Sequence, residues 1–407
     1  MKKYNKNILV FVFCMLFVGA GLCSGDLYKG FVESFQNAME GSSSRFTKIS
    51  NLERKIDNVS SEYLLYHNLM MDANSIKENL LGTRIIKKVD SVTVKSDSES
   101  LYQTYEEFSD EQIQSTVGRV KELYQECKNN AADFLYVLAP RKGDYYSTPL
   151  NVNNNSKDNY LHYISEMDRQ GIPLLDFETV FNNKSAEELF YYTDHHWTTR
   201  IGFEASGEIC RELHTRYAFS YDEEKCDITN YRINLYDDYF LGTYGKKTGS
   251  YFSSRGADDF ELITPLFETS FTERQPYKNE KKEGDFCEAM LVMNNLEEKD
   301  YYATSGKQPY YTYLGGDLRL QIIVNHLSNN GKKALIIRDS FGIPVVPFLA
   351  LNMLETHIVD IRDGDKYIGD KVHVYEYIKT FKPDYVLVLY TGADIIDSGN
   401  GRFDFKY

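Results

Sequence analysis

Ala334-Leu335-Ile336-Ile337-Arg338-Asp339-Ser340-Phe341-Gly342 is the stretch on which the fold turns. Its first four residues form a short continuous apolar run, the pattern of a strand buried on both faces. The polar residues and glycine that follow read as a tight turn, with a helix expected around 347–354. Pro344 and Pro347 do not both fit deep inside one helix, so either the helix begins near Pro347 or a loose turn comes first. Beyond it the pattern repeats as strand 357–361, helix 372–381 and strand 385–390. Upstream, Asp133-Phe134-Leu135-Tyr136-Val137-Leu138-Ala139-Pro140 is a second buried-strand run, stopped by proline. Helices are expected over 110–127, with Asp110 as cap, 157–169 and 201–214, and strands over 89–94 and 172–176. Apolar strands alternating with helices imply an α/β fold with a mainly parallel sheet covered on both faces.

A second segment, Tyr192-Thr193-Asp194-His195-His196-Trp197-Thr198, carries chemistry that suits Ser340. An acid, an imidazole and a hydroxyl are the parts of a Ser-His-Asp acyl-transfer site. In an extended segment, residues two apart share a side, which places Asp194 and His196 together and turns His195 away. A carboxylate beside an imidazole fixes its tautomer and stabilises its protonated form. A serine at a turn entering a helix also sits near N–H groups that favour developing negative charge. Plainer readings stand beside these. Ser340 also suits a helix N-cap, His196 a buried histidine satisfied by Asp194, and Trp197 a core filler or a shield for the histidine. Asp339 is expected to shape the turn. Arg362, at the end of the strand after Ser340, either binds substrate or forms an ion pair, and Gly315-Gly316 is a turn before the serine.

These residues carry a resemblance. With Asp194-His195-His196-Trp197 and the later strand–Ser–turn, the chain resembles the DHHW family, and through it the SGNH-hydrolase-like domains of the periplasmic alginate O-acetylation proteins. The likeness runs from about residue 45 to the end and is strongest at 192–198, 334–349 and Val359-Asp360-Ile361-Arg362. One departure is Arg338, which stands where GDSL-type hydrolases ordinarily have glycine. The resemblance implies an SGNH-hydrolase-like fold with Ser340, His196 and Asp194 catalytic and no cofactor or metal required. Oxyanion and substrate candidates are Arg362, Gly315, Gly316, His195, Trp197 and Asp339. It also implies O-acetyl transfer or deacetylation on an extracytoplasmic polysaccharide or other acylated carbohydrate, with a membrane-bound O-acyltransferase as upstream donor. Two other readings stay open: a catalytically idle glycan-binding module, and a metal-dependent hydrolase using Asp194, His195 and His196.

Composition sets the surroundings. A net charge of -14 argues against a nucleic-acid binder and against adhesion to anionic lipid. Lys2, Lys3 and Lys6 precede an uncharged, largely apolar run over 7–25, the layout of a signal peptide or an N-terminal membrane anchor, either of which exports residues 26–407. A helical pattern occupies about 46–82. The stretch 217–311, rich in Tyr, Gly, Ser, Asp and Lys, reads as an insertion of loops and hairpins. The six cysteines include no CxxC, so no zinc site is expected from them; Cys210 and Cys226 suit either a disulfide or separate thiols.

Overall fold

The structure is a computed structural model that describes residues 67–406, apart from 89–90, 150–151, 304–306, 365–366, 393–394 and 397–398. The expected export segment, and the helical pattern before residue 67, lie outside the described residues. The chain divides into two compact units, 1–77 and 78–407. Of the first, the described part belongs to helix α1, His67–Leu80. Among the described residues no helix is long and apolar enough to cross a membrane.

The second unit opens with a small antiparallel sheet, β1 (Ile85–Lys88), β2 (Ser91–Lys95) and β3 (Leu101–Gln103). Helix α2, Asp110–Asn129, follows. Its cap is Ser109 rather than Asp110: the Ser109 hydroxyl accepts from the Gln112 N–H, and the Gln112 side chain returns a bond to the Ser109 N–H. That reciprocal pair outcompetes a lone carboxylate at the next position, where Asp110 still suits the helix dipole.

The eight-stranded main sheet is built on β4 (Asp133–Ala139), β5 (Leu174–Asp176), β8 (Phe271–Gln275), β9 (Glu280–Gly284), β10 (Leu320–Asn325), β11 (Lys333–Arg338), β12 (Glu355–Val359) and β13 (Tyr385–Thr391), in the order β5-β4-β13-β11-β12-β10-β8-β9. The first five strands of that order run parallel. The last three add antiparallel pairs. The stretch 217–311 thus supplies β8 and β9 to the main sheet, besides the separate antiparallel pair β6 (Tyr231–Phe240) and β7 (Asp258–Pro265).

Period two decides the two cores. Leu135, Val137, Ala334, Ile336, Leu387 and Leu389 enter one cluster, with helix α4 (Thr199–Tyr217). Phe134, Tyr136, Leu335, Ile337, Val386 and Val388 enter the other, with α2, α3 (Ser156–Arg169) and α7 (Val374–Phe381). Each parallel strand is therefore buried on both faces, as its unbroken apolar run requires. The carboxyl ends of β4, β11, β12 and β13 share one edge. Lys142, Ser340, Arg362 and Thr391 lie at or just beyond those ends, where open α/β sheets place their sites.

Candidate active site

Strand β11 ends at Arg338, and Ser340–Gly342 form a single 3-10 turn before α6, Val346–Ala350. The loose turn thus comes first, and Pro347 takes the start of the helix. Ser340 is not the cap of its turn. Asp339 holds that position, with Oδ1 accepting from the Phe341 N–H at 2.9 Å. Its Oδ2 accepts from the Thr391 N–H at 2.8 Å and from Arg402 Nη1 at 2.9 Å. Asp339 therefore ties the turn to the end of β13 and to the C-terminal segment, and its carboxylate is fully committed to the scaffold. The Ser340 hydroxyl, on a residue 8 % exposed, is left to point elsewhere.

It points to His196. Ser340 Oγ lies 2.7 Å from His196 Nε2, and His196 Nδ1 lies 2.5 Å from Asp194 Oδ1. A carboxylate only accepts, so Nδ1 carries the proton it donates and Nε2 is left to accept the serine O–H. Burial raises the Asp194 carboxyl. His195 and His196, with bonds from His196 and the Thr243 N–H, outweigh it and hold the group well below its usual value. The acid is thus ionised, and its charge strengthens the bond from the imidazole.

The route to this pairing differs from the extended one. Residues 192–196 form a run of bends, because Asp194 Oδ1 also accepts the His196 N–H at 2.8 Å and closes a local turn. His195 consequently does not face away. Its ring lies against that of His196, centroids 3.8 Å apart, with Nδ1 3.3 Å from Asp194 Oδ1 and a third of its side chain exposed. It forms the open margin of the site.

Trp197 joins the two segments. It is fully buried, and its indole N–H donates to the Phe341 carbonyl at 3.0 Å, while its ring packs on Phe177 and Phe341. Arg338 explains its own presence in place of glycine. Fully buried, it donates to Asp317 at 2.8 Å and to the Gly316 carbonyl at 2.7 Å, fastening the 309–317 loop to the strand end. Gly316 thereby offers a carbonyl toward Arg338, and its φ of 97° with the Tyr311 ring beneath leaves no room for a side chain. Gly315, at φ 72°, borders a cleft of about 380 Å³ lined by Tyr277, Tyr311, Asp317, Arg319 and Ile368. Arg362 is gripped by Asp360 at 2.5 Å and lies 3.2 Å from Asp317. It is a buried ion pair behind the turn, one step from Arg338.

Several residues of the site gave no signal in the sequence. Tyr310 stacks on His196, centroids 4.2 Å apart. The Thr243 N–H, at the start of α5 (Thr243–Thr248), donates to Asp194 Oδ2 at 2.5 Å. Gly242, just before it, lies so close that a Cβ there would overlap Asp194. The pattern Gly242-Thr243 within a turn-rich stretch is too common to single out.

One group of potential metal ligands occurs among the described residues, Asp194, His195 and His196, with ligand atoms within 4.8 Å of one another. Both ring nitrogens of His196 and both Asp194 oxygens are already engaged, so a cation there would have to take His196 from Ser340 or Asp194.

Comparison with known proteins agrees with this architecture. Residues 97–224 match the family model of the SGNH hydrolase-like domain of the acetyltransferase AlgX. Bacillus cereus PatB1 superposes with a TM-score of 0.62 at 17 % identity, over 78 % of this chain and 100 % of that one. PatB1 with a sulfonyl adduct gives 0.62 at 18 %, over 79 % and 100 %. A DHHW family protein from Eubacterium siraeum gives 0.58 at 16 %, over 79 % and 96 %. No curated protein matches the sequence. The fold is SGNH-hydrolase-like, and the resemblance to the DHHW and AlgX-type proteins read from residues 194–197 and 340 stands.

Proposed function

We propose that the chain is an exported serine acyl-transfer enzyme, an O-acetyltransferase or acetylesterase acting on an extracytoplasmic polysaccharide. The observation that carries this is the unbroken chain Ser340 Oγ to His196 Nε2 at 2.7 Å and His196 Nδ1 to Asp194 at 2.5 Å. Ser340 Oγ attacks an ester carbonyl while its proton passes to His196 Nε2. Asp194 stabilises the imidazolium that results. Collapse of the tetrahedral species expels the alkoxide, which takes the proton from His196 and leaves an acyl-serine. A sugar hydroxyl or water, deprotonated by the same nitrogen, then accepts the acyl group and frees Ser340. The Phe341, Gly342 and Ile343 N–H groups are donated to Asp339 and Ser340. The Ser340 N–H, which donates to none of the described residues, is the donor this reading assigns to the oxyanion.

The sulfonyl adduct of PatB1 supports a nucleophile in this fold, since an attacking side chain or ligand must hold such a group. The AlgX match supports acetyl as the transferred group. Tyr277 and Tyr311 in the neighbouring cleft offer rings on which a sugar stacks. A membrane-bound O-acyltransferase is the donor this assignment calls for, and the 1–25 segment supplies the export.

The test is turnover of 4-nitrophenyl acetate, with and without a sugar acceptor. Ser340→Ala should abolish acetate release and transfer while the fold persists, and a chelator should leave the wild type active. Full activity in folded Ser340→Ala removes the serine mechanism, and loss to chelator alone promotes the metal reading of Asp194, His195 and His196. Glycan binding without turnover leaves the idle binding module.

A further inference from the structure

Residues 191–194 have no ladder of their own. They lie between the isolated bridge residue Phe190 and helix α4, in bends that leave their backbone groups to find partners elsewhere. The Leu101 and Gly245 N–H groups take the Tyr192 and Thr193 carbonyls, and the Tyr191 N–H reaches the His196 carbonyl. The other partners are two buried charged side chains from distant parts of the chain. Lys142, just past the end of β4, is almost wholly buried, and its ammonium donates to the carbonyls of Tyr191 at 2.5 Å, Tyr192 at 2.9 Å and Asp194 at 2.9 Å. An ammonium has three N–H donors, and these use all of them. Asp258, the first residue of β7, is also buried, and it takes the opposite set. Its carboxylate accepts the Tyr192 N–H, the Thr193 N–H at 2.9 Å and the Thr193 hydroxyl at 2.5 Å.

We propose that Lys142 and Asp258 act together as a clamp that positions Asp194, and through it His196, for proton transfer with Ser340. One grips the carbonyls and the other the N–H groups of the same few residues. The Asp194 carbonyl is held from the edge of the main sheet, while its carboxylate is held by α5 and its two histidines. Lys142 beyond β4, Thr243 on α5 and, through the two residues before it, Asp258 on β7 thus hold a residue whose own backbone is irregular. The inference rests on the Ser340–His196–Asp194 reading and adds two positioning residues to it.

The electrostatics suit this role. Burial acts most strongly on both groups, pulling the Lys142 ammonium down and pushing the Asp258 carboxyl up. Asp258, Asp194 and Glu187 uphold the ammonium against that penalty. The Thr193 side chain and N–H, Lys142 and the Tyr192 N–H do the same for the carboxylate. The Tyr244 ring, 5.9 Å from Nζ, adds a cation–π face. Neither charge would be stable there without the other and without the segment they hold. Removing one is therefore expected to release the segment rather than leave it in place.

The test uses the purified full chain and compares wild type with Lys142→Met, which keeps the length of the side chain and removes its donors. The expected result is a fall in kcat of about 100-fold with KM nearly unchanged, since misplacing a catalytic group by about 1 Å costs that much. A second readout does not depend on turnover: the downfield proton shared by His196 Nδ1 and Asp194, assigned as the resonance missing from His196→Ala. It should shift or broaden in Lys142→Met. If Lys142→Met does not fold, Asp258→Asn, of nearly equal volume, takes its place with the same expectations. A folded variant with wild-type kcat and an unmoved resonance overturns the clamp. A wild type with no turnover but a resonance that moves on substitution keeps the clamp and removes the serine mechanism instead.

Discussion

Asp339→Ala and Ser340→Ala change neighbouring residues, and the structure assigns them opposite consequences. Asp339 is buried and serves three donors: the Phe341 N–H inside the turn, the Thr391 N–H at the end of β13, and the buried guanidinium of Arg402. Breaking a buried ion pair by deleting one partner costs about 3–5 kcal/mol. A buried backbone N–H deprived of its acceptor costs about 1–3 kcal/mol. The three bonds share one carboxylate and cannot be summed, so we expect a total loss of about 3–5 kcal/mol for Asp339→Ala. Against a typical stability of about 5–15 kcal/mol, that is a large fraction. Ser340→Ala removes no cap, because Asp339 holds that place, and we expect a loss of under about 1 kcal/mol together with complete loss of activity. Asp339→Asn, which keeps one acceptor oxygen, should fall between. The assay is urea unfolding of all three variants and the wild type, with the midpoint read at constant m. An Asp339→Ala loss below about 1 kcal/mol would refute the role given to this residue as the tie between the turn, β13 and the C-terminal segment.

Other outcomes follow from the same geometry. Trp197→Phe removes the indole donor from the Phe341 carbonyl and should cost about 1–3 kcal/mol while lowering kcat more than it raises KM; equal kcat in variant and wild type counts against the coupling of the two segments. The folded pKa of Asp194 lies below its unfolded value, so its charge contributes stability that is present above the unfolded value and lost as pH falls through the folded one. Melting temperatures of wild type and Asp194→Asn should therefore converge in acid below about pH 4, and a gap independent of pH speaks against that electrostatic role. The Cys210 and Cys226 thiols act on one another, an interaction that raises Cys210 and, as its largest influence, lowers Cys226. Diamide, which accepts two electrons and two protons, should join them as a disulfide, while buried Cys127 stays a thiol. Alkylation of both Cys210 and Cys226 after that treatment would exclude the pairing.

Much of the fold was legible because buried parallel strands announce themselves. The runs that became β4, β11 and β13 are apolar without interruption, since both faces meet a core, and their order along the chain sets the alternation with helices. Strand β10 was not legible. Its buried Gln321 and Asn325 break the apolar pattern, and each is satisfied by bonds outside the strand, to Glu273 and the Leu314 carbonyl and to the Ala350 and Leu351 carbonyls. The pairing of Asp194 with His196 could be read from their spacing, but for a reason the structure replaces. A turn closed by Asp194 itself brings them together, and it leaves His195 beside the site. Arg338 looked anomalous only because Asp317 and the Gly316 carbonyl, which receive it, lie on a loop far earlier in the chain. Lys142, Asp258, Tyr310 and Thr243 come from four separate stretches, and nothing local in those stretches marks a lysine or a tyrosine as belonging to the site.

The most direct measurement is chemical. Wild type, Ser340→Ala and His196→Ala are mixed with an activated acetyl ester, quenched in acid within the first turnover, and mapped by peptide mass spectrometry. A serine mechanism predicts one acetyl group on the peptide containing Ser340 in the wild type, none on that peptide in Ser340→Ala, and accumulation in His196→Ala slowed by about 100-fold or more. An acetyl group carried by another residue, or turnover by the wild type with Ser340 never acylated, would contradict it.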